Sequence, residues 1–299
     1  MKKCLEIALI SDAPGWHCRQ LEDAFSKYRA KVRIVSLADC VISTEGKVNI
    51  QLPDFNDYLP DGVFVRGVPA GSLECVVFYL DILHGLERLG VHVYNNAPMI
   101  ERSVDKAMTS FLLKNAGIAT PPTVVVVDYQ KACAIVADFV SRGQTMVLKP
   151  LFGSQGKDLQ RICDVSELPK PNDEQAQVYY LQQFVKSDKA YDWRVFVVGD
   201  QVVSAMQRHG CSWVHNAAQG AECRYAEIDD EIAKLATDAV RAVGLFYAGV
   251  DIMLDTNNTL QVIEINSIPA WKSLQEVSSV NVAEYLTDYF MATRYFHDN

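Results

Sequence analysis

Apolar positions fall in short blocks along the first third of the chain. Residues 7–10 form a run closed by Ser11-Asp12-Ala13-Pro14-Gly15, which predicts a buried strand and a turn. Residues 16–30 have helical spacing, with Leu21, Ala24, Phe25 and Tyr28 on one face. Further strands are predicted at 32–37, 62–65 and 91–94, and a helix over 76–89 ended by Gly90. Strands alternating with helices imply a parallel sheet, so residues 1–97 are expected to form a small α/β unit. Asn95-Asn96-Ala97-Pro98 marks its boundary.

Beyond that boundary the pattern changes. A helix is predicted with Val104, Met108, Phe111 and Leu112 on one face, closed by Gly117 and blocked by Pro121-Pro122. Strands are predicted at 124–127, 146–149, 159–162 and 178–185, with a helix over 132–140 and a loop over 169–173. Two hairpins follow, 194–198 with 202–206 around Gly199-Asp200, and 250–254 with 260–265 around Asp255-Thr256-Asn257-Asn258. An amphipathic helix over 228–243 lies between them, ended by Gly244, and a last helix spans 282–295. The expected organisation is α/β with α+β lobes, in three units: 1–97, 98–185 and 186–299.

Composition narrows the function classes. A chain of 299 residues suits two or three lobes, and 49% hydrophobic with 22% charged residues is an ordinary globular balance. A net charge of −9 with no long Lys/Arg run excludes a phosphate-held nucleic-acid partner. No apolar stretch approaches the roughly 18 residues of a membrane span, and the N-terminal run is too short for a signal-peptide core. A cytoplasmic protein without a membrane partner is expected. The eight cysteines include no Cys-x-x-Cys pair and lie mostly in apolar runs such as Glu74-Cys75-Val76-Val77, which predicts reduced core thiols.

The strongest chemical signal is Gly249-Val250-Asp251 with Ile263-Glu264-Ile265-Asn266. Alternation puts Glu264 and Asn266 on one side of a strand, and the short turn at 255–258 brings Asp251 back beside Glu264. Oxygen ligands gathered in an apolar setting suit Mg²⁺ carrying nucleotide phosphates; the alternative is a solvated hairpin. A second signal is Lys149-Pro150 followed by Gly153-Ser154-Gln155-Gly156-Lys157, a lysine at a strand end before a turn whose glycines admit close amide approach to phosphate. It is not a Walker loop, and no G-x-G-x-x-G follows the first strand. A third is Asp192-x-Arg194 with Arg208 on the partner strand, suited to an anionic group or to a plain salt bridge.

In this order the motifs resemble the ATP-grasp superfamily, and within it the RimK-like α-L-glutamate ligases, over nearly the whole chain. Val65-Arg66-Gly67 resembles the V-x-R stretch, Ser103-Val104-Asp105-Lys106 the S-x-D-K helix, and 117–123 the G-I-x-x-P-x-T linker. Gln182-Gln183-Phe184-Val185 resembles the adenine hinge, Asp192–Gly199 the D-x-R-x-x-V-x-G strand, and Asn216 with Gly220 the N-x-x-x-G turn. The resemblance implies an ATP-grasp fold preceded by a Rossmann-like unit, with ATP and two Mg²⁺ ions, Mn²⁺ being a substitute. It implies that Lys106, Lys149, Gly153, Ser154, Gln155, Gly156, Lys157, Gln183, Phe184, Val185 and Asp192 hold the nucleotide. Asp251, Glu264 and Asn266 would ligate metal, and Arg194, Arg208 and Asn216 would serve the chemistry.

The implied activity is carboxylate–amine ligation through an acyl phosphate, adding L-glutamate to a small-molecule or cofactor-precursor carboxylate. Rival readings are a ligase acting on a peptide or ribosomal-protein C-terminus, and a non-catalytic ATP-binding protein. A homo-oligomer, dimer or tetramer, is expected. Departures are Gln183 for the usual glutamate, Val214-His215 for the usual polar pair, and Pro269-Ala270-Trp271-Lys272 where the family has Pro-Gly. This tail resembles members linked to tetrahydromethanopterin-type cofactor synthesis. It suggests Trp271 stacked on a flat acceptor, or simply packed, with Lys272 facing an acidic tail.

Overall fold

The computed structural model describes residues 4–45, 49–55, 57–153, 158–171, 177–210, 213 and 220–294. The first unit contains β1 (Leu5–Ile10), α1 (Trp16–Ser26), β2 (Ala30–Val35), the short antiparallel pair β3 (Val41–Ile42) and β4 (Ile50–Gln51), β5 (Gly62–Val65), α2 (Leu73–Arg88) and β6 (Val93–Tyr94). Its sheet is parallel in the order β2-β1-β5-β6, as the alternation predicts. The strands β1 and β5 are buried on both faces, which explains their unbroken apolar runs. Apolar sequence is not burial everywhere: Leu73, Cys75, Val77 and Phe78 at the start of α2 are exposed. The core-thiol expectation therefore holds for Cys18 and Cys40 but fails for Cys4, Cys75 and Cys163, which are exposed.

The helix expected after the boundary is two helices, α3 (Ala97–Val104) and α4 (Lys106–Asn115). Asp105 breaks it: its carboxylate accepts the Ala107 and Met108 N–H groups, capping α4 from an extended conformation. The break rotates the faces. Val104, Met108 and Phe111 are exposed, while Ile100, Ser103, Thr109 and Leu113 turn inward.

A second sheet follows: β7 (Thr123–Val126), β8 (Met146–Lys149), β9 (Gln160–Ile162) and β10 (Tyr179–Gln183), antiparallel in the order β7-β10-β8-β9. Helix α5 (Tyr129–Ser141) buries Ala132, Val136 and Phe139 against it. The third sheet is β11 (Tyr191–Val198), β12 (Gln201–His209), β13 (Glu222–Tyr225), β14 (Tyr247–Leu254) and β15 (Leu260–Asn266), antiparallel in the order β13-β12-β11-β14-β15. Helix α6 (Asp230–Val243), stopped by Gly244 at φ 74°, packs with α4 on one face of it. α7 (Lys272–Val277) and α8 (Val282–Arg294) complete the chain, α8 lying against α1.

The other face of the third sheet is divided. Phe196, Met206 and Tyr247 join Ile7, Phe25, Phe64 and Phe290 in one core shared with the first unit. Fully buried Asn95 pins this joint, donating to Tyr247 O (3.0 Å) and Ser267 O (2.8 Å) and accepting from Phe246 N–H (2.9 Å). The remaining half faces the second sheet across a cleft. No helix among the described residues is long and apolar enough to cross a membrane.

Candidate active site

The strands β8 and β10 form one wall of this cleft, β11, β12, β14 and β15 the other, and α4 crosses one end. Lys149 ends β8 and its Nζ donates to Gln182 Oε1 at 2.6 Å. Gln182 is itself fixed, its amide donating to Thr123 Oγ1 (3.1 Å) and Tyr180 Oη (3.2 Å), with Ser110 Oγ 2.7 Å from that phenol. Burial pushes the Lys149 ammonium down to about 8; the Glu264 carboxylate opposes this. Lys106, the first residue of α4, donates to Gly153 O at 2.8 Å and is also lowered by burial. Two lysines thus stand desolvated beside one cleft, facing a carboxylate.

The hinge follows β10. Gln183 and Phe184 N–H groups donate to Pro122 O and Thr145 O, both at 2.8 Å, whereas Val185 N–H meets no backbone carbonyl among the described residues. The Arg161 guanidinium lies 4.4 Å over the Phe184 ring, and Trp213 meets that ring edge-on at 6.0 Å.

Across the cleft, β-sheet register sets out a row of charges. Asp192 pairs with Arg208, Arg194 with Asp251, and Asp251 with Glu264. Arg208 forks onto Asp192 with two 2.7 Å bonds and reaches Asp251 Oδ2 at 3.0 Å. Arg194 grips Asp251 through Nε and, at 2.9 Å, through its terminal nitrogen. Burial raises the Asp251 carboxyl, but Arg194 and Arg208 outweigh it and hold the group below its ordinary value. Burial likewise opposes the Arg208 charge, and Asp251 and Asp192 outweigh it.

The residues fit a divalent cation. Glu264 lines the cleft with no hydrogen bond or ion pair among the described residues. A carboxylate offers about four lone-pair directions. Asp251 spends three on arginine donors, one at Oδ1 and two at Oδ2, so Oδ1 keeps one. Asn266, two residues along the strand from Glu264, offers an amide carbonyl oxygen, and its buried Nδ2 has no partner among the described residues. These are hard oxygen donors of the kind Mg²⁺ takes.

The structure therefore brings together Lys106, Lys149, Gly153, Gln183, Phe184, Val185, Asp192, Arg208, Asp251 and Glu264 around one cleft, with Arg194 clamped on Asp251. Ser154, Gln155, Gly156, Lys157 and Asn216 lie outside the described residues. The Asp192 carboxylate is taken by Arg208, so it orients that guanidinium. The stacking idea for Trp271 is corrected: the ring is fully buried among Trp16, His17 and Phe196, with Arg66 over it at 4.6 Å. Tyr180, Ser110 and Thr123 were missed. Alternation along β10, which puts Tyr180 and Gln182 on one face, was the available signal.

A family model described as RimK-like ATP-grasp domain matches residues 103–290. The chain belongs to the RimK-like ATP-grasp family. A tetrahydromethanopterin:alpha-L-glutamate ligase from Methanococcus maripaludis is 35% identical over 95% of this chain and 97% of its own length. An alpha-aminoadipate–LysW ligase, LysX, from Saccharolobus solfataricus is 28% identical over 68% of this chain and 75% of its own. Among solved structures, the ATP-grasp ligase PsnB complexed with minimal precursor, Mg and ADP has a TM-score of 0.71 at 18% identity, covering 97% of this chain and 98% of that one. Membership of the RimK-like family makes the protein an enzyme of the carboxylate–amine ligase class, one that forms carbon–nitrogen bonds.

Proposed function

We propose that the enzyme uses ATP and Mg²⁺ to join L-glutamate to the carboxylate of a small cofactor precursor of pterin type. The observation that carries this is the cleft itself: two desolvated lysines face Glu264, which has no partner among the described residues, and the arginine–aspartate row beside it. Lys106, Lys149 and Val185 N–H hold the nucleotide, Lys149 kept in place by Gln182. Asp251 Oδ1, Glu264 and Asn266 hold the cation. Bound there, Mg²⁺ offsets phosphate charge. The substrate carboxylate attacks the terminal phosphorus, ADP leaves, and the amine then displaces phosphate from the acyl phosphate. Arg194 and Arg208, preorganised by Asp251 and Asp192, accept the developing negative charge. The similarity to the Methanococcus maripaludis ligase over nearly the full length supports the pterin-type substrate and glutamate.

Within this reading the enzyme is cytoplasmic and its units are 1–97, 98–185 and 186–299, with α3 and α4 carried on the third sheet. A homo-oligomer, supported by the exposed Leu73, Val77 and Phe78, is checked by light scattering. The activity test is ADP release with L-glutamate and a panel of pterin-type carboxylates and acidic peptides. Release that requires glutamate and a pterin-type carboxylate together is expected. Release driven by peptides alone overturns the substrate assignment.

A further inference from the structure

At the carboxyl ends of β1 and β5 the chain departs to opposite faces of the parallel sheet. β1 leads into α1, which packs with α8 on one face, and β5 leads into α2 on the other. That is a topological switch point, where open parallel sheets leave a crevice for ligands. Its lips are Trp16 and His17, which open α1 beyond the loop after β1, and Arg66, the first residue after β5. The segment from Pro269 to Lys272 closes the third side. Arg66 donates to Pro269 O at 3.1 Å, and Trp271 N–H donates to His17 Nε2 at 3.1 Å.

Two cations, Arg66 and Lys272, border the crevice. Neither half-buried Arg66 nor exposed Lys272 has an ion-pair partner among the described residues. Asp12, the carboxylate in the loop after β1, takes the Ser36 hydroxyl instead. His17 adds no charge: burial, then the Arg66 and Lys272 charges, push it down to about 4. The imidazole is therefore neutral, in keeping with its role as acceptor. Helix α1 starts at Gly15 with no side-chain cap, leaving its first amides open to an anion. Two fully buried polar atoms here, Arg66 Nε and Trp271 Nε1, have no partner among the described residues.

The crevice also adjoins the reaction row. A Cβ on Gly249 would stand 3.0 Å from Pro269 Cβ and 3.1 Å from Arg194 Cδ, so Pro269 is a wall common to both. We infer that Arg66, Lys272 and the amino end of α1 form a subsite for a substrate carboxylate that is not itself activated. This rests on the ligase reading. Two sources share that chemistry, the free carboxylates of the incoming glutamate and an acidic tail on the activated partner.

Calorimetric titration with glutarate tests the subsite directly, with neutral glutaramide as the control. The wild-type enzyme binds glutarate in preference to glutaramide. Lys272→Gln weakens glutarate by roughly ten- to a hundredfold, the loss of one charge-assisted contact, and Lys272→Glu removes binding. Arg66→Gln acts in the same direction, but Arg66 also ties down Pro269, so exposed Lys272 decides. In turnover, the KM that rises in Lys272→Gln, for L-glutamate or for the carboxylate partner, names the source, while KM for ATP stays put. Glutarate affinity unchanged in both Lys272 variants, or no glutarate binding by the wild type, overturns the subsite. Lys272-dependent glutarate binding without any ADP release overturns the ligase reading and leaves the subsite standing.

Discussion

Glu264 and Asp251 sit opposite each other in register, yet they answer substitution differently. Asp251 is 7% exposed at its side chain and takes three bonds from Arg194 and Arg208. Asp251→Asn removes the charge between two guanidinium groups and leaves Asp192 alone to face them. Removing one partner of a buried ion pair costs about 3–5 kcal/mol, a fall in melting temperature on the order of 10 °C. Glu264→Gln disturbs no ion pair and keeps the shape, so stability stays within about 1 kcal/mol. Both variants lose turnover, because both remove a cation ligand. The assay pairs thermal unfolding by circular dichroism with ADP release across a Mg²⁺ titration. A Glu264→Gln enzyme with wild-type turnover and wild-type Mg²⁺ dependence would refute the cation site. An Asp251→Asn enzyme that melts like the wild type would refute the buried-anion argument.

Lys149→Ala weakens ADP binding measured by calorimetry, and wild-type affinity falls between pH 7 and 9 as an ammonium held at about 8 deprotonates. Stability moves the other way: the folded state binds fewer protons than the unfolded between about pH 8 and 10.5, so the cost of burying Lys149 is full below pH 8 and fades as pH rises towards 10.5. Arg208→Ala lowers kcat by roughly a hundredfold or more with little change in nucleotide affinity, and Asp192→Asn lowers it less, in single-turnover comparisons. Trp271→Ala costs about 3–5 kcal/mol in urea unfolding, because the ring is core.

Much of this was legible where local chemistry and tertiary role agree. The strands Gly62–Val65 and Met146–Lys149 are bounded by turns and buried, and they stand where the apolar runs put them. The second hairpin itself was legible, but the turn that pairs Leu254 with Leu260 would alone set Asp251 opposite Ile263; a bulge between Asp251 and Ile252 brings it opposite Glu264, and no local signal announces that bulge. Asp105 misled because an aspartate inside a helical pattern reads as surface, and only its two backbone bonds show it as a cap. Polar β13 and the six-residue α7 offer too little periodicity to be seen. The site's donors were visible as residue types. Their commitments were not, since Arg208 meets Asp251 only after β11 has been placed between β12 and β14.

The core shared by the first and third sheets has a mechanical consequence. The second sheet packs in a separate cluster, and its connectors are riveted to the β14–β15 hairpin: Val262 N–H to Ala119 O at 2.8 Å, Thr120 Oγ1 to Val262 O at 2.9 Å, and Thr256 N–H to Lys186 O at 3.0 Å. The piece between those rivets, tied otherwise to α4 through Lys106–Gly153 and Ser110–Tyr180, is expected to open as a unit of its own. Its amides would exchange with deuterium ahead of those in the Asn95 joint. A nucleotide gripped by Lys149 on one side and Glu264 on the other would act as a clasp, slowing exchange in that piece more than anywhere else.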